Sequence, residues 1–288
     1  MHMLLLFVLA VCGLAKVVSG NMLERRAISQ ELLAEFIRFT SFSVAAYQPS
    51  CSKPLGTELV LAINNDSTNT QGFIACDDAN KQIITTFRGS QQLEDFIRDN
   101  IWLRVPYSSP GVTETNDATA HVGFLDAYNS VASTILSTVS SELQAHPGYT
   151  LISTGHSLGA SLASLCGVSL ASNFPGTPLR VFTFGQPRTG DPAYADLAES
   201  LIGVDNIYRA VHTYDGVPTL IPQFLGYRHH GTEYWNFEDP ATVDNVKVCS
   251  GQEDPTCSDS IPTTGINLAH IYYFGKVIGI GLNPSVCE

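Results

Sequence analysis

The chain has 288 residues, 44% of them apolar and 15% charged, and a formal net charge of −12. That length and apolar content suffice for one large domain with its own core. Acidity of this size excludes nucleic acid and anionic membranes as natural partners, because both repel it; neutral lipid and polysaccharide surfaces stay open. Met3–Leu14 is an almost unbroken apolar run followed by Lys16 and the small residues Val18-Ser19-Gly20. The run is too short to span a bilayer and reads as a secretory signal over residues 1–20. Residues 21–26 end in the dibasic pair Arg25-Arg26, which reads as the end of a short propeptide. The mature chain is then 27–288, secreted and extracellular. Three cations and one acid leave with the leader, so its net charge becomes −14. No later stretch is apolar enough for a membrane span, and no integral membrane association is expected.

The apolar spacing of Ser29–Tyr47 predicts a long first helix. Asn65-Asp66-Ser67 is a glycosylation sequon at Asn65 in a polar stretch suited to a surface loop. Ile83–Phe87 is a compact apolar strand running into Arg88-Gly89-Ser90. In Gly123–His146, Phe124, Tyr128, Val131, Ile135 and Val139 recur at three- and four-residue steps until Pro147-Gly148 stops them, an amphipathic helix. Tyr149–Ser153 reads as a buried strand, Leu158 to about Phe174 as a helix. A strand at Arg180–Phe184, a helix near Tyr194–Leu201 and a strand at Asn206–His212 follow. Strands alternating with helices imply one α/β domain with a mostly parallel sheet covered by helices. There is no internal repeat and no linker.

The chemistry gathers at Gly155-His156-Ser157-Leu158-Gly159. A strand, then Gly-x-Ser-x-Gly, then a helix is the layout of a nucleophilic serine on a sharp turn. Small neighbours let the chain turn and leave room for a carbonyl. The helix N-terminus aims N–H groups and its positive pole at a developing oxyanion. Without that context the motif is only a glycine turn whose serine caps a helix.

A serine hydroxyl needs a base, and the base needs an orienting acid, in the chain order Ser, acid, His. Asp215 lies just past the strand ending at His212, where sites gather in open α/β sheets. Asp191 and Asp196 read instead as helix-cap and helix-surface groups. Of the later histidines, His270 has apolar flanks that hold an imidazole in a fixed, partly dry place. His229-His230 read as a solvated loop, and His156 and His121 as structural. Ser90, after Gly89, is a candidate second oxyanion donor beside Leu158, although the segment alone also fits an ordinary strand-to-helix turn. No His or Cys grouping has metal spacing, so neither metal nor cofactor is expected.

Seven cysteines include Cys12 in the leader, and the remaining six leave the pairing open. The spacing of Cys249 and Cys257 suits a short local loop, and Cys51 and Cys287 lie near the two ends of the mature domain. Cys166 reads as a buried thiol; Cys76 has no placement.

Phe87-Arg88-Gly89-Ser90, Gly155–Gly159, Asp215-Gly216-Val217-Pro218, Glu233-Tyr234-Trp235 and Ala269-His270 with Tyr273-Phe274-Gly275 resemble the filamentous-fungal class 3 lipases. The resemblance runs from about Ser29 to Cys287. It implies an α/β-hydrolase-type fold, a triad of Ser157, Asp215 and His270, oxyanion donors Ser90 and Leu158, and disulfides Cys51–Cys287 and Cys249–Cys257. It also implies a short helical lid after Ser90, where Leu93, Phe96 and Ile97 form one apolar stripe opposite Glu94, Asp95 and Arg98. The same stripe would serve a helix fixed on the core. Phe96, Asn100 and Ala160 stand where the family more often has Trp, an apolar residue and Gly. The expected activity is hydrolysis of triacylglycerols by a monomer at an oil–water interface. The alternative is a feruloyl-type esterase acting on hydroxycinnamoyl esters, whose relatives carry a more polar segment after the Ser90 loop.

Overall fold

A computed structural model describes residues 27–90, 102–263 and 265–288. The expected signal and propeptide (1–26) and the lid stripe of Leu93, Phe96 and Ile97 lie outside the described residues.

Helix α1, Gln30–Ala46, starts at Ser29, whose side chain accepts from Leu32 N–H. Strands β1 (Glu58–Asn65), β2 (Thr70–Asp77) and β3 (Gln82–Phe87) follow, then a short pair, β4 (Arg104–Pro106) with β5 (Thr119–His121). Helix α2, Val122–Ala145, is capped by His121, whose Nδ1 accepts from Gly123 and Phe124 N–H. Strand β6 (Thr150–His156), helix α3 (Leu158–Asn173), strand β7 (Leu179–Phe184), helix α4 (Pro192–Ile202) and strand β8 (Ile207–His212) alternate as expected. Strands β9 (Thr232–Asn236) and β10 (Val246–Val248) complete the large sheet, and β11 (Tyr272–Tyr273) pairs with β12 (Lys276–Val277).

The large sheet runs β1-β2-β3-β6-β7-β8-β9-β10. Its centre, β3 through β9, is parallel, while β1, β2 and β10 are antiparallel additions at the edges. Two apolar cores flank it. On one side α2, α3 and α4 pack through Phe124, Tyr128, Ile135 and Leu165; on the other, α1 packs through Phe36, Phe39 and Phe42. Those three α1 rings are fully buried, worth about 1.5–3 kcal/mol each. The predicted stripe of α2 is buried at all five positions. Every residue of α3 from Leu158 to Leu170 is buried, so its Ala, Ser and Gly content lets a helix run through the middle of the molecule with neighbours on all sides.

The main departure from expectation in this layer concerns His229 and His230, which are not on a solvated loop. Both are buried: His229 Nε2 lies 3.0 Å from Pro218 O, and His230 Nε2 lies 3.0 Å from Ser164 Oγ on α3. The Gly-Tyr-Arg-His-His-Gly turn is polar, yet it is tucked under the start of β9, where each imidazole uses Nε2 for an internal hydrogen bond while its Nδ1 is buried without a partner among the described residues. Strand β6 also extends three residues past the predicted Ser153, up to the edge of the serine turn.

Two disulfides close the chain. Cys51–Cys287 joins positions 236 residues apart, with Cα atoms at 4.8 Å, and Cys249–Cys257 closes a local loop. Cys166 is a buried thiol within α3, and Cys76 is a buried thiol near the end of β2.

Candidate active site

Strand β6 delivers Ser157 at the N-terminus of α3 with φ +61° and ψ −130°. Few side-chain-bearing residues tolerate such a backbone, and it persists only where the surroundings enforce it. Here steric clearance does so. A Cβ on residue 155 would lie 2.2 Å from the Gly159 carbonyl oxygen, and one on residue 159 would lie 2.5 Å from the Phe87 oxygen. Both flanking positions must therefore be glycine for the turn to close. Ser157 N–H donates to Phe184 O at 2.9 Å, pinning the turn to β7. Ser157 Oγ is buried and makes no hydrogen bond among the described residues. The first N–H groups of α3, Leu158 among them, have no acceptor inside the helix and face the same end.

Asp215 follows β8 by three residues, its N–H donating to His212 O. Three donors converge on its carboxylate: His270 Nδ1 at 2.9 and 3.1 Å, Tyr273 Oη at 2.5 Å, and Val217 N–H at 2.9 Å. Burial by itself would raise this carboxyl, but the facing imidazole and the three hydrogen bonds outweigh it and hold it below its usual range. A carboxylate in that state accepts only, so Nδ1 of His270 carries the hydrogen and Nε2 is left with a lone pair. His270 sits on a short 3₁₀ turn, Leu268–Ile271, whose first residue is preceded by Asn267; the Asn267 side chain accepts from His270 N–H.

Two residues read as structural or left unread in the sequence join these parts. His156 Nε2 lies 2.7 Å from the His270 carbonyl, and its Nδ1 lies 2.8 Å from Tyr47 Oη, at the end of α1. The carbonyl only accepts, so Nε2 of His156 is the donor and Tyr47 O–H donates to the bare Nδ1. Burial, then the neighbouring His270, pushes His156 down to about 3, which keeps this imidazole neutral. Tyr47 also abuts the Ser90 loop: a Cβ on Gly89 would fall 2.2 Å from its hydroxyl and 2.9 Å from Ser157 Cβ. Tyr273 and the Tyr47–His156 pair carry no local sequence signal. Their partners are 58 and 109 residues away.

Ser157, Ser90, His270 and Tyr47 line one cleft of about 560 Å³, together with Ile280 and Leu282. Its mouth is apolar. Leu282 is 76% exposed and Ile280 56%, an open hydrophobic rim of the kind that marks contact with another apolar surface. Asp191, weighed as an alternative acid, caps α4 by accepting from Tyr194 N–H, and Asp196 is exposed on that helix.

A mostly parallel sheet sandwiched by helices, with a serine held at positive φ between a central strand and the helix that follows, defines an α/β-hydrolase fold. The chain belongs to the class 3 lipase family, whose pattern it matches over residues 84–225, and it is a carboxylic ester hydrolase. It is 35% identical to a lipase of Rhizomucor miehei, over 89% of this chain and 72% of that protein. A secreted alkaline triacylglycerol lipase of Penicillium cyclopium is 32% identical over 92% of each chain. Among solved structures, a triacylglycerol lipase of Penicillium expansum superposes with a TM-score of 0.81 at 29% identity, covering 88% of this chain and 96% of that one.

Proposed function

We propose that this protein is a secreted lipase that hydrolyses triacylglycerols at an oil–water interface through Ser157, His270 and Asp215. The observation that carries the reading is the shared cleft. A serine on a strained turn and an imidazole whose Nδ1 is held by a buried carboxylate open together onto an exposed apolar rim. Ser157 Oγ attacks the ester carbonyl while His270 Nε2 takes its proton, and Asp215 stabilises the resulting imidazolium. Backbone N–H groups of Leu158 and Ser90 receive the tetrahedral oxyanion. The imidazolium returns the proton to the departing alkoxide. Water, deprotonated by the same imidazole, then releases the fatty acid from the acyl-serine.

Neutral lipid is the partner that a mature chain of net charge −14 approaches without repulsion. The rim residues supply apolar contact area, and the stripe of Leu93, Phe96 and Ile97 is the proposed cover that swings onto the lipid. Export rests on the leader over residues 1–20, on the two disulfides and on a relative that is itself named as secreted. Asn65 is the proposed glycan site, at the end of β1 before the turn to β2. Its side-chain oxygen accepts from Ser67 Oγ at 2.6 Å. The working unit is taken to be the monomer, without cofactor or metal at the catalytic centre.

The test is initial rate against the concentration of a short-chain triglyceride carried across its solubility limit, with Ser157→Ala as blank. A jump at the limit is expected. Saturation below it, with faster turnover of soluble hydroxycinnamoyl esters, would replace the lipase reading with the esterase one.

A further inference from the structure

At the far end of the sheet from Ser157, a second group of chemically capable side chains meets. Cys76 is the penultimate residue of β2, Asp78 opens the turn to β3, and His146 caps the C-terminus of α2. Cys76 Sγ is 3.6 Å from Asp78 Oδ1, His146 Nδ1 is 3.8 Å from the same oxygen, and all three atoms lie within 4.8 Å of one another. In a tetrahedral zinc site, bonds of roughly 2.0–2.3 Å set the donors about 3.3–3.7 Å apart. Small side-chain rotations therefore separate the observed trio from coordination geometry.

The surroundings favour a cation. The last carbonyls of the 24-residue α2 end here, at the negative pole of the helix. Glu58 stands opposite Cys76 in the β1–β2 register, and Glu142 Oε2 lies 3.7 Å from His146 Nε2. Arg38, which shares this corner of the fold, is engaged by Asp77. Among the described residues no Lys or Arg forms an ion pair with Asp78, Glu58 or Glu142. Tyr149 Oη donates to Asp78 Oδ1 at 2.8 Å, which steers the carboxylate. Asp78 is exposed and His146 half-buried, so an ion reaches the group from solvent, while Cys76 closes it from within.

We propose that Cys76, Asp78 and His146 form a binding site for a single borderline-soft divalent cation of the zinc type, with water in the fourth position. Thiolate and imidazole select such an ion over calcium or magnesium, which prefer all-oxygen shells. The ligands come from the β2–β3 turn and from the end of α2, so the bound ion ties these elements together. The site lies beside Thr150 at the start of β6, and Ser157 follows its end, roughly 20 Å away along the strand. Its role is structural, and it is independent of the ester-hydrolysis reading. Without metal, burial and then the charge of Asp78 push the Cys76 thiol up to about 12, so coordination has to displace its proton. The sequence shows no metal spacing because His146 is 70 residues from Cys76.

The experiment uses the mature protein freed of metal by chelation. Zn²⁺ is titrated calorimetrically and the unfolding midpoint is followed with and without it. Co²⁺ serves as the optical probe of thiolate ligation. One Zn²⁺ per chain is expected, with a raised midpoint, and a Co²⁺ spectrum carrying a sulfur-to-metal charge-transfer band. Affinity should fall at least about tenfold in the surface variants Asp78→Asn and His146→Asn, which leave the core untouched, and the band should vanish in Cys76→Ser. The proposal fails if no Zn²⁺ binds, if Asp78→Asn and His146→Asn bind as tightly as the parent, or if the Co²⁺ complex shows no thiolate band.

Discussion

The two arms of the proposed active site are built by different physics. The nucleophile arm is backbone geometry and clearance: Ser157 at φ +61°, glycines at 155 and 159 where any Cβ would strike a carbonyl, and Gly89 pressed against the serine. The acid–base arm is side-chain hydrogen bonding: three donors on Asp215, drawn from its own turn and from residues 55 and 58 positions later. One arm tolerates almost no change of backbone shape; the other depends on partners that a distant segment must bring. His156 belongs to the first arm by position and to the second by its bond to the His270 carbonyl, so it is the joint between them.

Removing the proposed nucleophile sets the largest expected effect. Ser157→Ala should lower kcat by about 10⁴-fold or more with the unfolding midpoint unchanged, because alanine occupies the same backbone and the hydroxyl has no partner among the described residues. Emulsion or aryl-ester assays beside thermal melts separate the two quantities, and retained turnover would remove Ser157 from the mechanism. The acid–base arm has its own weak point at Gly185, at φ +58°. A Cβ there would lie 2.7 Å from Asp215 Oδ2 and 2.9 Å from His270 Nδ1. Gly185→Ala should displace the imidazole and cost about 100-fold in kcat/KM. Gly148→Ala is the control: φ +84°, open space around it, and far from the cleft. If both variants lose activity alike, backbone strain and not the clash with the pair is responsible.

This contrast also explains what the sequence made legible. The serine turn announces itself because its constraints are local, with two glycines, a preceding strand and a following helix all within reach of one window. The long helices were readable for the same reason, from Ser29 and the buried stripe of α2. Asp215 was readable as a carboxylate at a strand end. Other features are products of distance. Tyr273 is one aromatic among several until the fold sets it on Asp215, and Tyr47 meets His156 only across 109 residues. The antiparallel β1–β2 pair and β10 have no helix between strands to mark them. His229 and His230 look solvated because their turn is polar, and only the packing of α3 shows that Ser164 waits for one of them.

Acid should strain the joint before it strains the fold elsewhere on that arm. In the unfolded chain the His156 imidazole protonates near its ordinary value of 6.5, whereas burial and His270 hold it to about 3 in the folded protein. Between those values the unfolded state binds the extra proton, so stability falls as pH drops from about 6.5 toward 3, by up to about 1.4 kcal/mol per pH unit from this group. Above 6.5 it contributes no slope. His230, also held to about 3 by burial and then by Arg209, acts the same way away from the cleft. Denaturant midpoints across this window for the parent and for His156→Gln isolate the share of the joint. Identical slopes would mean that His156 is not neutral in the folded state.

The smallest effect is expected at Tyr47→Phe, and it is the most discriminating. The ring still packs at the end of α1, but the donor to His156 Nδ1 is gone, leaving a buried acceptor without its partner. Such a loss costs about 1–3 kcal/mol at the bond itself, of which only the part felt differently in the transition state reaches the rate. A fall in kcat of about tenfold with KM unchanged is therefore expected, since Tyr47 holds the imidazole that holds the His270 loop. Tyr47 also lines the cleft, so a rise in KM at constant kcat would show that its hydroxyl binds substrate instead. Restoring the bond tests the difference further. If the residue positions His270 through His156, removing His156 as well should add little to Tyr47→Phe, because the two would break one chain of contacts. Additive losses would divide the joint into two unconnected roles.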